Sequence, residues 1–399
     1  MQIMKRFTTL AFLTLALLSC QKQEGLPPEV TSLLEKTRQA YAPDKRVALF
    51  DISAEQEGGK VVLNGESNLP EALRSLEESL QAAGFTTVNR IKLLPDPLLD
   101  GKTFGVVQLS ACNIRSEPRH SAELSTQSTL GAPLRVLKES EGWFLVQTPD
   151  GYLGWLDPGG FMSMTEAEFR QWQQAEKVVF LPGQGFSLDA PTLQAQPVSD
   201  LLAGNILQYL GSEKGFSKLQ YPDGRTAYVP NEAVMNYKMW LASSKPNAER
   251  IIETAFDFMG RPYLWGGTSG KGVDCSGFTK TVFYLNGLLL PRDASQQVHV
   301  GIPVETDTTL AGLQPGDLLF FGRKATGEQP EKITHVAIYL GDGKIIHASG
   351  RVQVESLKRG APDFTEYRLK SLVCARRMLQ APEQNGILPL SKVPLYQEM

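Results

Sequence analysis

One cysteine of the 399-residue sequence lies at a position suited to a catalytic nucleophile. Cys275 follows the turn-forming run Lys271-Gly272-Val273-Asp274 and begins a helical pattern that continues to Tyr284. A thiolate is the attacking form of cysteine, and the free backbone N–H groups at a helix N-terminus stabilise negative charge. The spacing therefore predicts that Cys275 is a nucleophile whose pKa is lowered by the start of a helix.

Two histidines are placed to supply the base that this cysteine needs. His335 begins a predicted strand over 335–340, and His347 lies in the next predicted strand, over 344–348. The turn Gly341-Asp342-Gly343 would join these strands antiparallel and bring the two imidazoles side by side. A nucleophile, a base and a third group that orients the base make a catalytic triad. A buried structural cysteine with two core histidines, or a zinc site, would use the same residue types.

Three motifs around these residues occur in a characteristic order: Tyr263-Leu264-Trp265-Gly266-Gly267, Asp274-Cys275-Ser276-Gly277-Phe278 and Thr334-His335-Val336-Ala337-Ile338-Tyr339. They resemble the NlpC family of cysteine peptidases, which have a reduced papain-like fold and act on bacterial wall peptides. The resemblance covers about residues 247–378. It implies that Cys275 is the nucleophile, His335 the general base and His347 its orienting residue. It also implies an oxyanion hole made by Tyr263 and the backbone N–H of Cys275, with no metal ion and no organic cofactor.

The composition excludes several function classes. Lysine and arginine total 40 against 43 aspartates and glutamates, a net charge of −3, so the basic excess typical of nucleic-acid-binding proteins is missing. Four cysteines and four histidines are too few for a dense disulfide scaffold or a histidine-rich metal cluster. Cys112 and Cys374 could pair in an oxidising compartment or remain buried thiols, and the sequence leaves both possibilities open.

The first twenty residues have the features of an export signal. Lys5 and Arg6 precede an apolar stretch over 7–18 that is too short to span a bilayer as a helix. The run Leu17-Leu18-Ser19-Cys20 resembles a bacterial lipobox, which implies lipidation of Cys20; an ordinary cleaved signal is the alternative. Gln21 follows the cysteine, and by the same resemblance this favours the outer membrane, facing the periplasm.

The remaining chain divides into modules that would position the triad. The expected fold is multidomain α+β, with a small N-terminal α/β adaptor, two small β-barrels and a C-terminal papain-like peptidase. The predicted divisions are a signal (1–20), adaptor (21–100), first barrel (101–160), linker helix (161–177), second barrel (178–240), peptidase (245–380) and tail (381–399). Apolar periodicity within the adaptor predicts the order helix–strand–strand–helix–strand, with its first strand over 46–52.

The two barrels are inferred from repeated motifs. Asn113–Pro118, Gly142–Val146 and Gly151–Leu156 resemble the bacterial Src-homology-3-like barrel, a module of wall-associated proteins. Gly215–Gln220 and Gly224–Val229 repeat the later half of this pattern more weakly, which indicates an internal repeat.

A narrower resemblance concerns substrate recognition. NlpC domains preceded by such barrels include γ-D-glutamyl-L-diamino-acid endopeptidases, of the dipeptidyl-peptidase VI type, which require an unblocked N-terminal L-Ala. By that resemblance Glu117, Tyr152 and Asp293 would bind the substrate ammonium, because a semi-buried cation needs carboxylates and an acceptor. Trp265 and Ser276 would line the cleft near D-Glu. Each has an ordinary structural alternative: a solvated turn for Glu117, a surface aromatic for Tyr152 and a helix cap for Asp293.

These inferences together predict a lipid-anchored cysteine peptidase. Its expected substrate is the wall peptide L-Ala-γ-D-Glu-diamino acid, cleaved after the γ-carbonyl of D-Glu through an acyl-enzyme on Cys275. The alternatives are a hydrolase of intact peptidoglycan, and a wall-binding module whose peptidase fold is vestigial. The sequence predicts no nucleic-acid partner and does not fix the oligomeric state.

Overall fold

The computed structural model describes residues 25–306, 309–397 and 399. The predicted signal and the lipidation site Cys20 lie outside these residues. Within them, no helix has both the length and the apolar character needed to cross a bilayer.

The N-terminal unit has the predicted order of elements. Its helices and strands are α1 (Pro28–Tyr41), β1 (Phe50–Glu57), β2 (Lys60–Ser67), α2 (Pro70–Ala82) and β3 (Thr87–Leu93). Strand β2 lies in the centre, antiparallel to β1 and parallel to β3, so α2 is the crossover that a parallel pair requires. Val30, Leu63, Leu76 and Leu80 close the core between the helices and the sheet.

The strand predicted over 46–52 begins later than expected, at Phe50. Residues 43–49 form an irregular turn. The Asp44 carboxylate accepts the backbone N–H of Arg46 at 2.9 Å, and such a local bond competes with strand pairing. Arg46 is therefore a loop residue, and its guanidinium bonds both Asp44 of the same loop and Asp293 of the C-terminal unit.

The two barrel-like modules have the same strand order, which confirms the internal repeat. The first contains β4 (Phe104–Val107), β5 (Ala111–Arg115), β6 (Leu124–Thr129), β7 (Pro133–Ser140), β8 (Trp143–Gln147), β9 (Leu153–Leu156) and β10 (Phe161–Met164). The second contains β11 (Lys177–Phe180), β12 (Gln184–Leu188), β13 (Pro197–Leu202), β14 (Ile206–Glu213), β15 (Phe216–Gln220), β16 (Thr226–Pro230) and β17 (Val234–Asn236). Each forms an antiparallel seven-stranded sheet, and β10-β4-β7-β8-β9-β5-β6 matches β17-β11-β14-β15-β16-β12-β13 strand for strand.

Short helices join the modules. The predicted linker helix over 161–177 is shorter, α3 (Glu166–Gln174), because its ends are strands β10 and β11. Thr165 and Glu168 form a reciprocal capping box at its start. Helix α4 (Tyr237–Ser243) follows the second sheet.

The C-terminal unit is a six-stranded antiparallel sheet with helices. Its elements are α5 (Ala248–Phe256), β18 (Thr268–Ser269), β19 (Gly272–Val273), α6 (Cys275–Leu285), β20 (Leu288–Leu289), α7 (Ala294–Gln297), β21 (Ile302–Val304), β22 (Leu318–Arg323), β23 (Lys332–Gly341), β24 (Lys344–Ser349), β25 (Arg351–Ser356), α8 (Glu366–Ser371), β26 (Leu372–Arg377) and β27 (Leu388–Pro389). The sheet order is β21-β26-β22-β23-β24-β25. Phe278 and Val282 of α6 pack with Val336 and Ile346 in its core.

Two C-terminal segments differ from expectation. A strand that apolar residues predict from about Leu369 to Arg377 begins instead at Leu372, because 366–371 form α8. The segment 381–399, predicted as a tail, packs into a core. Ile387 joins the peptidase core, and Leu390, Val393 and Tyr396 are buried against α4 and the second sheet.

Candidate active site

Cys275 is the first residue of helix α6. Asp274 is the N-cap residue: its backbone is extended and its carboxylate accepts the Gly277 N–H at 2.7 Å. The first backbone bond of the helix runs from the Phe278 N–H to the Asp274 carbonyl. The N–H groups of the preceding residues in the first turn, Cys275 included, are the orphan donors found at any helix start.

Glycine is required at two places around this turn. A Cβ on Gly277 would lie 1.9 Å from the Gly267 carbonyl oxygen, so the helix approaches the preceding loop as closely as a backbone can. Gly266 has φ +77°, and a Cβ there would lie 2.0 Å from the Leu124 carbonyl oxygen of the first barrel-like sheet. The loop before Cys275 is therefore clamped between α6 and another domain.

A buried ion pair fixes the cap residue. Arg292, which is 1% exposed, donates from Nη2 to Asp274 Oδ2 at 2.6 Å and from Nη1 to Asp274 Oδ1 at 3.1 Å. The same Nη1 lies 3.1 Å from the Ser276 hydroxyl. Ser276 is therefore buried within this network. Both Nη atoms of the Arg292 guanidinium bind the Asp274 carboxylate. Arg292 therefore has a structural role at the start of α6.

His335 and His347 are brought together as predicted. The turn between β23 and β24 has positive φ at Gly341, Asp342 and Gly343, which reverses the chain within three residues. His335 Nε2 lies 2.7 Å from His347 Nδ1, and both rings are buried. The backbone N–H of Val336, next to His335, faces the Cys275 sulfur, so the nucleophile and the first histidine belong to one site.

Glu355 extends this pair, and the sequence interpretation missed it. Its Oε2 lies 3.3 Å from His347 Nε2, an ion-pair distance without the alignment of a close hydrogen bond. The pKa of Glu355 is lowered, chiefly by His347. The alternation Val352-Gln353-Val354-Glu355 is the pattern of strand β25, and reading it as a strand next to β24 would have placed Glu355 near His347.

The carboxylate of Glu355 favours one arrangement of protons on the two rings. A negative charge beside His347 Nε2 favours the proton there, which leaves His347 Nδ1 as an acceptor. His335 Nε2 then carries the proton in the 2.7 Å contact. His335 Nδ1 is left unprotonated, which is the state that a general base needs.

The expected lowering of the Cys275 pKa is not found. Burial, with the Asp274 charge second, raises the pKa of the thiol to about 11 and outweighs the N–H groups of Val336 and Ser276. Burial also lowers the pKa of His335 to about 2, assisted by the charge of Arg368. Both shifts favour the neutral thiol and the neutral imidazole over the charged pair.

Tyr263 and Trp265 lie on the loop before the nucleophile. Tyr263 is half-buried, and its pKa is raised by burial and by the proximity of Cys275. Trp265 is 64% exposed and its indole N–H donates at 2.5 Å to Glu123, which directly precedes β6 of the first barrel-like sheet. Tyr263 is therefore near the nucleophile, and Trp265 lies at the boundary between two domains.

The residues expected to bind an ammonium are only partly assembled. The Tyr152 hydroxyl donates to Asp293 Oδ2 at 3.0 Å, which joins the first barrel-like sheet to the peptidase unit. Glu117 is not in this contact: its carboxylate pairs with Arg119 at 3.1 Å and is 57% exposed. Arg46 of the N-terminal unit contacts Asp293 instead, at 2.7 Å.

Three family models match the chain. The NlpC/P60 family matches residues 260–370, the bacterial dipeptidyl-peptidase Sh3 domain matches residues 114–159, and the bacterial SH3 domain matches residues 189–235. The first range contains Cys275, His335, His347 and Glu355. The second contains Glu117 and Tyr152.

Curated relatives and solved structures agree with these models. The chain is 30% identical over 274 residues to dipeptidyl-peptidase 6 of Lysinibacillus sphaericus, covering 65% of this chain and 94% of the relative. It is 30% identical over 261 residues to gamma-D-glutamyl-L-lysine dipeptidyl-peptidase of Bacillus cereus, covering 61% and 73%. The crystal structure of an NlpC/P60 family protein from Bacillus cereus has a TM-score of 0.58 at 24% identity, over 69% of this chain and 99% of that one. An NlpC/P60 endopeptidase from Photobacterium damselae has a TM-score of 0.51 at 16% identity, over 86% and 81%. These two structures establish the likeness of fold.

Proposed function

Because the chain belongs to the NlpC/P60 family of cysteine peptidases and carries two bacterial SH3 domains, we propose that it cleaves the bond between the γ-carbonyl of D-Glu and a diamino acid in bacterial wall peptides. The observation that carries the proposal is the Tyr152–Asp293 contact, which places a carboxylate and a hydroxyl from two domains together. The name of the Bacillus cereus relative, gamma-D-glutamyl-L-lysine dipeptidyl-peptidase, supports the same bond.

The first half-reaction follows from the neutral resting pair. His335 Nδ1 takes the thiol proton as the Cys275 sulfur attacks the γ-carbonyl carbon, and His347 with Glu355 stabilises the imidazolium that forms. Tyr263 and the backbone N–H of Cys275 are assigned to the oxyanion. Collapse of the tetrahedral intermediate breaks the C–N bond, and His335 gives its proton to the leaving amine. The product is a thioester on Cys275.

Hydrolysis of the thioester by water completes the reaction, and His335 again serves first as base and then as acid. His335 takes a proton from a water molecule that attacks the thioester carbonyl, and the C–S bond then breaks. The sulfur recovers the proton from His335, and the γ-carboxylate of D-Glu leaves.

We assign the amine end of the substrate to Asp293 and Tyr152. An N-terminal L-Ala ammonium bound there would donate to the Asp293 carboxylate and to the Tyr152 oxygen. We assign Trp265, on the loop before the nucleophile, and Ser276, next to Cys275 in the chain, to the D-Glu portion of the substrate. Glu117, held by Arg119, is tested separately.

The test is mass spectrometry of products from L-Ala-γ-D-Glu-L-Lys and its meso-diaminopimelate counterpart. The expected products are L-Ala-γ-D-Glu and the free diamino acid, and Cys275→Ala should form neither. Acetylation of the L-Ala amine removes one charge-assisted hydrogen bond of about 1–3 kcal/mol, so kcat/KM should fall about 5- to 150-fold. Asp293→Ala should lose most of this preference, whereas Glu117→Gln should keep it.

Two results would replace the proposal. Equal hydrolysis of the free and acetylated peptides, together with fragments released from sacculi, would identify a hydrolase of intact wall. Binding of wall material without any Cys275-dependent cleavage would identify a binding module.

We further propose that the protein is anchored by lipid on Cys20 at the outer membrane, facing the periplasm. The lipobox-like run before Cys20 and the Gln21 that follows it support this location. The N-terminal unit would then separate the anchor from the catalytic domains.

A further inference from the structure

Arg46 connects the N-terminal unit to the proposed ammonium subsite. Its Nη1 donates to Asp293 Oδ2 at 2.7 Å and to the Ser295 hydroxyl at 2.9 Å. Its Nε and Nη2 donate to the two carboxylate oxygens of Asp44 at 2.8 and 2.7 Å. The guanidinium therefore bridges a carboxylate of its own loop and the carboxylate expected to bind substrate.

Both oxygens of Asp293 face a cation already. Oδ2 receives Arg46 and the Tyr152 hydroxyl, while Oδ1 lies 3.8 Å from Nη1 of the buried Arg292. An incoming ammonium would meet a carboxylate whose charge is largely compensated. The nearer and more exposed of the two guanidiniums is that of Arg46, whose side chain is 35% exposed.

The backbone of the Arg46 loop is fixed to the first SH3 domain. The Leu153 N–H donates to the Arg46 carbonyl at 2.7 Å, and the Gln147 side-chain amide donates to the Val47 carbonyl at 2.9 Å. Leu49 packs with Leu137, Leu145 and Leu153 in a small apolar cluster beneath the loop. These contacts do not involve the guanidinium, so the Arg46 side chain can leave Asp293 while its backbone stays docked.

We propose that Arg46 is a specificity-determining residue that occupies the ammonium subsite and competes with the N-terminal ammonium of the peptide. This inference rests on the proposed function, because it takes Asp293 as the group that binds the amine. A substrate ammonium can bind the Asp293 carboxylate only when the Arg46 guanidinium moves away from it, toward Asp44 and solvent. The N-terminal unit thereby weakens the discrimination between free and blocked peptides that Asp293 would otherwise impose.

The decisive variant is Arg46→Met, which keeps the apolar stem and the backbone hydrogen bonds and removes the charge. With L-Ala-γ-D-Glu-L-Lys, kcat/KM should rise about 3- to 30-fold, mainly through a lower KM, because one partly exposed charged contact no longer competes. With the acetylated peptide it should change less than about twofold, since that peptide offers no cation to Asp293. Arg46→Lys should restore most of the wild-type KM. Arg38 is an exposed arginine on α1, and Arg38→Ala is the matched control. It should leave kcat/KM unchanged for both peptides.

A positioning role for Arg46 predicts the opposite sign. If Arg46 held Asp293 in its productive orientation, Arg46→Met would raise the KM for the free peptide, and that result, or an unchanged ratio of free to acetylated peptide, overturns the proposal. Thermal unfolding of each variant checks that the N-terminal unit remains folded.

Failure of the proposed function has a separate signature. The wild-type enzyme would then release no diamino acid from either peptide, or would cleave both equally. In that case calorimetric binding to Cys275→Ala still decides the role of Arg46. Adding Arg46→Met should tighten binding of the free peptide but not of the acetylated one, and equal affinities would refute the competition.

Discussion

The Nε2 atom of His335 lies 2.7 Å from the Nδ1 atom of His347, and the two buried rings are nearly perpendicular. Only one of these nitrogens can carry a proton in such a contact. The Glu355 carboxylate next to His347 decides which one, and this leaves His335 as an unprotonated base. The proton position on the base His335 is therefore set by Glu355, which acts through His347.

Glu355→Gln should slow catalysis without weakening substrate binding. The amide keeps the shape but removes the charge that favours the proton on His347 Nε2. We expect kcat to fall about 10- to 100-fold with KM nearly unchanged, less than the loss caused by removing the buried carboxylate of a Ser-His-Asp triad. Asp342→Asn, in the exposed turn between the two histidine strands, is the control and should retain full activity. A Glu355→Gln enzyme with wild-type kcat would show that His347 needs no third partner.

Alkylation of Cys275 should depend steeply on pH. Because burial raises the thiol pKa to about 11, the reactive thiolate becomes tenfold more abundant with each pH unit above neutrality. The rate of iodoacetamide labelling, followed on the Cys275 peptide by mass spectrometry, should therefore keep rising from pH 7 to about 10. The buried Cys112, whose pKa is raised to about 12, is an internal reference and should label more slowly. A labelling rate that is already constant below pH 7 would mean a preformed thiolate–imidazolium pair instead.

Gly277→Ala should destabilise the protein and abolish activity. The new Cβ would lie 1.9 Å from the Gly267 carbonyl oxygen, so either the helix or the loop before Cys275 must move. We expect a loss of about 3 kcal/mol or more in the free energy of unfolding, measured by chemical denaturation. Gly327→Ala is matched, because nothing lies within 4 Å of its Cβ, and it should unfold like the wild type. Equal stability of the two variants would contradict the close packing of α6.

Cys20→Ser should release the protein from the membrane fraction. Several acyl chains anchor a protein stably, and the serine variant cannot receive the thioether-linked lipid. Its activity on peptides in solution should stay at the wild-type level, since Cys20 precedes the described folded units. Metabolic labelling with a fatty acid gives the direct measurement, and equal incorporation into both forms would rule out lipidation at Cys20.

The local patterns of the sequence predicted the elements that carry the chemistry. Helix α1, the start of α6 at Cys275 and the strands with the two histidines follow from apolar periodicity, a capping aspartate and a glycine-rich turn. These signals lie within a few residues of the elements they define. The repeat of the SH3 domains was detectable because the same turn motifs recur.

Contacts between distant residues had no such signal. Arg46 and Asp293 lie 247 positions apart, and nothing around Arg46 indicates a partner in another domain. Its loop was predicted as a strand because Val47, Leu49 and Phe50 are apolar, although Asp44 turns the backbone locally. The pKa of Cys275 was predicted in the wrong direction, since a helix start is visible in the sequence and the depth of burial is not.

The hydrogen bonds between Thr268 and Gln127 limit how this peptidase can be recombined with other domains. The Gln127 N–H donates to the Thr268 hydroxyl at 2.7 Å, and the Gln127 side-chain oxygen accepts the Thr268 N–H at 3.1 Å and the Ser269 hydroxyl at 2.8 Å. All of these groups are buried, and Thr268 and Ser269 lie a few residues before the nucleophile Cys275. If residues 245–399 were expressed alone, these buried polar groups would be exposed. The loop before Cys275 would also lose its hydrogen bonds to Gln127. We therefore expect a gene fusion to retain activity when it transfers the first SH3 domain together with the peptidase.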